Sequence, residues 1–141
     1  MADPSYLGDG DPGHGAGVSP SRPVGPYSPV LRAGPWVVTS GQIGAVPGPD
    51  GVPEVVAGGF DAEVRQVLEN LAEVLGREGA TLGDVVKTTV FLVDMADYAA
   101  LNAIWIDTFA DRRPARSAVA VGALPLGARV EVEAWAYAPE T

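Results

Sequence analysis

The stretch from Arg129 to Ala138 near the end of this chain alternates without a break. Arg129, Glu131, Glu133, Trp135 and Tyr137 fall on one side. Val130, Val132, Ala134 and Ala136 fall on the other, which is the period of an extended strand. The small apolar side has to pack against elements that exclude water, and helices suit it. The other side mixes carboxylates with aromatic rings. Two glutamates at i and i+2 lie about 6–7 Å apart on one face of a strand. A solvated antiparallel face accounts for that pair without any function. A face buried against a second subunit would instead make a partnered carboxylate plausible.

The rest of the chain supplies the missing layers. Pro29 to Arg32 and Trp36 to Ser40 read as two short strands around the turn Ala33-Gly34-Pro35. Gly44 to Pro53 reads as a Gly/Pro loop. Phe60 to Glu78 is the clearest helix, because Val64, Val67, Leu68, Leu71 and Leu75 form one apolar stripe. Arg65 with Glu69 and Glu73 with Arg77 are i,i+4 pairs on its wet side. Gly79 suits a left-handed C-terminal cap. Asp84 to Val93 is a strand rich in β-branched residues. A second helix is expected from about Ala96 to Phe109, capped by Asp94 or Asp97, with Tyr98, Leu101, Trp105 and Phe109 buried. Ser117 to Val121 is a strand, Ala123 to Gly127 a turn, and Arg129 to Ala138 the last strand.

The order is β-β-α-β-α-β-β. It predicts an α+β fold, a mixed sheet with both helices on one face. The uncovered face calls for a second copy of the chain. Residues 1–20 hold five Gly, three Pro and three Asp and are expected to be a flexible tail before a single domain over residues 21–141.

Composition narrows the chemistry. The chain has 141 residues, no Cys and one His. That excludes a disulfide framework, thiolate metal sites and a Cys nucleophile, and it argues against a Ser-His-Asp triad. Nine basic residues against eighteen acidic ones argue against a broad nucleic-acid footprint. No signal peptide and no membrane span are expected, which points to the cytoplasm. His14 falls in the tail and is expected to be idle. Asp9-Gly10-Asp11 lacks the remaining ligands of a calcium loop.

Four places could carry chemistry. Arg116 enters a strand after Pro114 among small residues, and its planar fork of donors suits a carboxylate or phosphate. Pairing with Glu131 or Glu133 is its alternative role. Ser40-Gly41 ends a strand where the backbone could approach a ligand, though Ser-Gly is also an ordinary turn. Lys87, the sole lysine, sits in mid-strand, where snorkelling past the sheet edge competes with a role as base. Glu131 and Glu133 are the fourth.

Taken together, the segments resemble the Rid family of enamine/imine deaminases, also called the YjgF or L-PSP endoribonuclease family. The matching stretches are Gly25-Pro26-Tyr27-Ser28, Ser40-Gly41-Gln42-Ile43 and Val85-Val86-Lys87-Thr88-Thr89-Val90-Phe91. They continue through Leu101-Asn102, Pro114-Ala115-Arg116-Ser117, Leu124-Pro125 and Val130-Glu131-Val132-Glu133-Ala134. They run in family order from about residue 22 to residue 138.

The resemblance implies a chorismate-mutase-like fold and a homotrimer whose sheets face inward, with sites between subunits. It implies that Arg116 binds substrate, that Glu131 positions water, and that Tyr27, Ser40, Gly41 and Asn102 bind substrate. A family cysteine is replaced by Ala118. The reaction implied is hydrolysis of a carboxylate-bearing imine, a 2-iminoacid of the 2-aminoacrylate/2-iminopropanoate type, to a 2-ketoacid and ammonia. No metal, cofactor, nucleic acid or membrane is implied as partner. The alternatives are a specialised member acting on another imine or enamine, a non-catalytic ligand-binding trimer, and a ribonuclease, which the acidic composition disfavours.

Overall fold

The computed structural model describes residue 23 and residues 25–140. The expected tail, with His14 and Asp9-Gly10-Asp11, lies outside the described residues.

Among the described residues, eight strands and two α-helices follow one another. They are β1 (Val30–Ala33), β2 (Trp36–Thr39), β3 (Gln42–Ile43), β4 (Ala45–Pro47), β5 (Pro53–Val55), α1 (Phe60–Arg77), β6 (Val85–Leu92), α2 (Tyr98–Phe109), β7 (Ala115–Ala120) and β8 (Val130–Tyr137). The main sheet runs β1-β2-β8-β6-β7, and β3 also pairs with β8. Among the described residues only β6 and β7 pair in parallel, with α2 as the crossover that a parallel pair needs; the other pairs are antiparallel. The fold is α+β with a mixed sheet, as the element order predicts.

The alternation in β8 sets the layers. Val130, Val132, Ala134 and Ala136 are fully buried and join the core with the α1 stripe and with Leu101, Ile104, Trp105 and Phe109 of α2. Glu131 and Glu133 are half-buried on the other face, while Trp135 and Tyr137 are 46% and 48% exposed. Register carries this division across the sheet. Thr88, Val90 and Leu92 of β6 lie on the helix side with Arg116, Ala118 and Ala120 of β7. Lys87, Thr89 and Phe91 lie on the open side with Ser117 and Val119.

Local chemistry explains the ends of α1. The Ala80 N–H bonds the Leu75 carbonyl at 3.0 Å and the Gly79 N–H bonds Gly76 at 3.2 Å, with Gly79 at φ 79°. This is a Schellman cap, and it needs the glycine. Arg32 then donates to the carbonyls of Glu78, Gly34 and Ala138, binding the helix end to both edges of the β1 turn.

Several boundaries differ from expectation. The expected Gly44–Pro53 loop is the first strand and the turn of the hairpin β4–β5, a pairing the Gly/Pro content hid. The turn Met95–Asp97 is 3₁₀, with Asp94 accepting from the Ala96 N–H, so the α-helix starts only at Tyr98. Tyr98 is exposed rather than buried. Arg129 precedes β8 and does not share the glutamate face: its guanidinium lies 6.0 Å from the Phe60 ring and 3.6 Å from Asp97. Arg65 reaches Asp107 of α2 at 4.0 Å. No helix among the described residues is long and apolar enough to cross a membrane.

Candidate active site

Arg116 sits on the edge strand β7, and α2 lies against it on the helix side. One guanidinium nitrogen donates to Asn102 Oδ1 at 2.7 Å and to the Tyr98 hydroxyl at 3.1 Å. The guanidinium also lies 5.4 Å from the Tyr98 ring centroid and 5.3 Å from that of Trp105. Tyr98, Asn102 and Trp105 recur at helical spacing, so one stripe of α2 holds the arginine. All its partners are neutral. No carboxylate pairs with it among the described residues, and it does not reach Glu131 or Glu133. Its charge is therefore available to an anion. A depression of about 320 Å³ adjoins it, lined by Asn102, Trp105, Ile106, Arg113, Pro114 and Arg116. Two buried polar atoms beside it have no hydrogen-bond partner: Thr88 Oγ1, whose residue pairs with Arg116 in register, and Trp105 Nε1.

Glu131 lies elsewhere, on the open face of β8 opposite Ile43 and Phe91. Burial pushes its pKa up, and the charge of Glu133 on the same face pushes in the same direction. Gly41 makes room for it. A Cβ on Gly41 would meet the Glu131 carboxylate, with the carboxyl carbon only 2.7 Å away. A bulge delivers Gly41 to that spot. Val38 pairs with Trp135 and Gln42 with Val132, so four steps on one strand answer three on the other. The Thr39 hydroxyl bridges the gap by accepting from the Ala134 N–H at 3.0 Å.

Helix α1 fixes this second cluster. Asn70, buried, donates to the carbonyls of Ile43 and Ala45 at 3.0 and 2.9 Å. Glu63, also buried, accepts from the Arg129 N–H at 2.8 Å, just before β8 begins. Ser40 donates its hydroxyl proton to the Ser28 carbonyl at 2.6 Å, so it ties down the preceding segment and keeps only acceptor capacity. Tyr27 is exposed on the turn before β1. Lys87 extends over the edge strand and donates to Ser117 Oγ at 2.9 Å.

The residues singled out in the sequence thus form two groups. Arg116 and Asn102 stand on the helix side of the sheet edge. Gly41 and Glu131 stand together on the open face, with Ser40 next to them in the chain. Tyr98, Trp105 and Thr88 complete the first group and were not singled out for it. The spacing of Tyr98, Asn102 and Trp105 was the available signal, but it reads as a buried face.

Known proteins share this arrangement of chain. The profile of the family described as Endoribonuclease L-PSP matches residues 19–138. A RutC family protein of Pyrococcus horikoshii is 41% identical over 116 residues, 82% of this chain and 90% of its own. The mouse protein named 2-iminobutanoate/2-iminopropanoate deaminase is 42% identical over 111 residues, 79% of this chain and 80% of its own. The crystal structure of RidA from an Antarctic Psychrobacter superposes with a TM-score of 0.78 at 39% identity, covering 84% of this chain and 94% of that one.

Proposed function

The chain belongs to the endoribonuclease L-PSP family, and from that premise we propose that it hydrolyses 2-iminoacids to 2-ketoacids and ammonia. The observation that carries the reading is Arg116, a guanidinium fixed by neutral partners beside an open depression. The relatives named as 2-iminobutanoate/2-iminopropanoate deaminases support the substrate class.

In this reading Arg116 forks onto the substrate carboxylate and so fixes the neighbouring imine carbon. Glu131 holds a water and takes its proton as the oxygen attacks that carbon. Its raised pKa brings it closer to working pH, which makes it a better base than an ordinary glutamate. Glu131 returns its proton toward nitrogen, and the carbinolamine expels ammonia as the C–N bond breaks and its hydroxyl loses a proton to become the ketone. Gly41 and Ser40 shape the wall beside Glu131, Asn102 holds Arg116, and Tyr27 contacts substrate.

Because Arg116 and Glu131 leave opposite faces of one sheet, the complete site is formed between two copies. Leu31, Trp36, Trp135, Tyr137 and Val119 leave the open face apolar and exposed, which suits burial against another subunit. A homotrimer with inward-facing sheets fits that need and the family resemblance, and the cytoplasm is the proposed compartment.

The test couples the protein to a pyridoxal-phosphate-dependent threonine dehydratase and follows the lifetime of the released imine. Wild type is expected to shorten it. Arg116→Ala and Glu131→Ala are expected to lose about 100-fold or more. Equal rates for wild type and Arg116→Ala would sink the proposal.

A further inference from the structure

The depression beside Arg116 is lined by a second arginine that the reaction above does not use. Arg113 lines it with Arg116, and no acidic residue does. Three of the nine basic residues of the chain, Arg112, Arg113 and Arg116, fall within residues 112–116.

The backbone around Arg113 is built to hold it. Arg113 Nε donates to the Ala110 carbonyl at 2.8 Å. Ala110 ends α2 at φ 48°, a conformation that a residue with a side chain rarely adopts, while its own N–H bonds Ile106 at 2.9 Å. Strain of this kind persists where the surrounding structure over-determines it, and it gathers at ligand clamps. Pro114 follows at once and restricts Arg113 to extended backbone. The two terminal amino groups of Arg113 have no partner among the described residues. Ile106 and the Trp105 ring supply apolar wall in the same depression.

Two guanidinium forks with apolar wall beside them match a short chain carrying an anion at each end. We infer that Arg113 binds a second carboxylate, so that the preferred substrates are dicarboxylic 2-iminoacids. The inference rests on the reading that Arg116 takes the first carboxylate. Water adds to the C=N carbon and ammonia leaves as before. The distal carboxylate is unchanged, and the product is a dicarboxylic 2-ketoacid.

Calorimetric titration of the intact protein with 2-oxoglutarate and with 2-oxobutanoate tests this. Wild type is expected to bind 2-oxoglutarate at least about tenfold more tightly, the effect of one added charge-assisted pair. Arg113→Gln is expected to bring the ratio near one, and Arg116→Ala to weaken both ligands. A wild-type ratio near one, or a ratio unchanged in Arg113→Gln, overturns the inference. So does a change of assembled mass in Arg113→Gln, which would put the side chain in a subunit contact. Decay of 2-iminobutanoate is measured alongside. Accelerated decay with a ratio near one removes the dicarboxylate inference alone. Unaccelerated decay removes the deaminase reading, and the binding ratio still decides the role of Arg113.

Discussion

Arg116 and Glu131 point away from opposite faces of the same sheet. Arg116 shares its side with Thr88 and Ala134, whereas Glu131 shares the other with Phe91. Two groups so placed cannot grip one small molecule within a single copy of the chain.

Mixing inactive variants makes this measurable. Arg116→Ala and Glu131→Gln, each inactive alone, are denatured, combined in equal amounts and refolded. A site that draws one residue from each of two neighbours recovers about one quarter of wild-type activity when subunits mix at random. A site housed within one chain recovers none.

Placing a charge on the open face should dismantle the catalyst without touching either cluster. Trp135 meets Trp36 edge-on at a centroid distance of 6.2 Å, and both are exposed. Trp135→Glu is expected to yield a folded species of one-chain mass with imine turnover lost. Light scattering and circular dichroism check the two halves of that statement. An assembled, active Trp135→Glu protein would contradict it.

Gly41 tests the Glu131 side alone. A methyl group there meets the Glu131 carboxylate, and the backbone of Gly41 has no left-handed requirement of its own. Gly41→Ala should therefore fold and assemble, yet lose about tenfold to 100-fold in kcat as the carboxylate is displaced. Binding of 2-oxobutanoate at Arg116 should fall far less, and titration separates the two effects.

The glutamate pair gives a pH dependence with a defined sign. The folded-state pKa of Glu131 is raised, by burial first and by Glu133 second. The folded protein thus binds this proton more tightly than the unfolded chain does, and its stability falls as pH rises from the ordinary glutamate range through the raised folded-state pKa. Glu131→Gln removes the ionised group, so it should raise stability at neutral pH. The gain should vanish at low pH, where the wild-type carboxyl is protonated. For activity, kcat/KM should rise with pH as Glu131 ionises. Glu133→Gln should move that acidic limb to lower pH, and an unmoved limb would show that the Glu133 charge does not reach the base.

Much of the architecture was readable from spacing. The β8 alternation and the α1 stripe each state which side is dry, and burial in the core follows both. Two kinds of feature were not readable. The hairpin β4–β5 rests on pairing between three-residue segments that flank a Gly/Pro-rich turn, whose pattern says loop. The meeting of Arg116 with Tyr98, and of Gly41 with Glu131, depends on register and on a bulge, which one residue more or less would undo. The separation of the two clusters onto two faces was hidden for the same reason, since it depends on how β6, β7 and β8 align.

The two helices have divided the work between them. Through Asn70 and Glu63, α1 braces the segments that frame Glu131, while Asn102, Tyr98 and Trp105 of α2 hold Arg116. In evolutionary terms each cluster has a brace of its own within one shared core. In the proposed reading, outward residues of α2 and the turn after it set which molecule is chosen. The water-holding side of that reading answers to α1 instead.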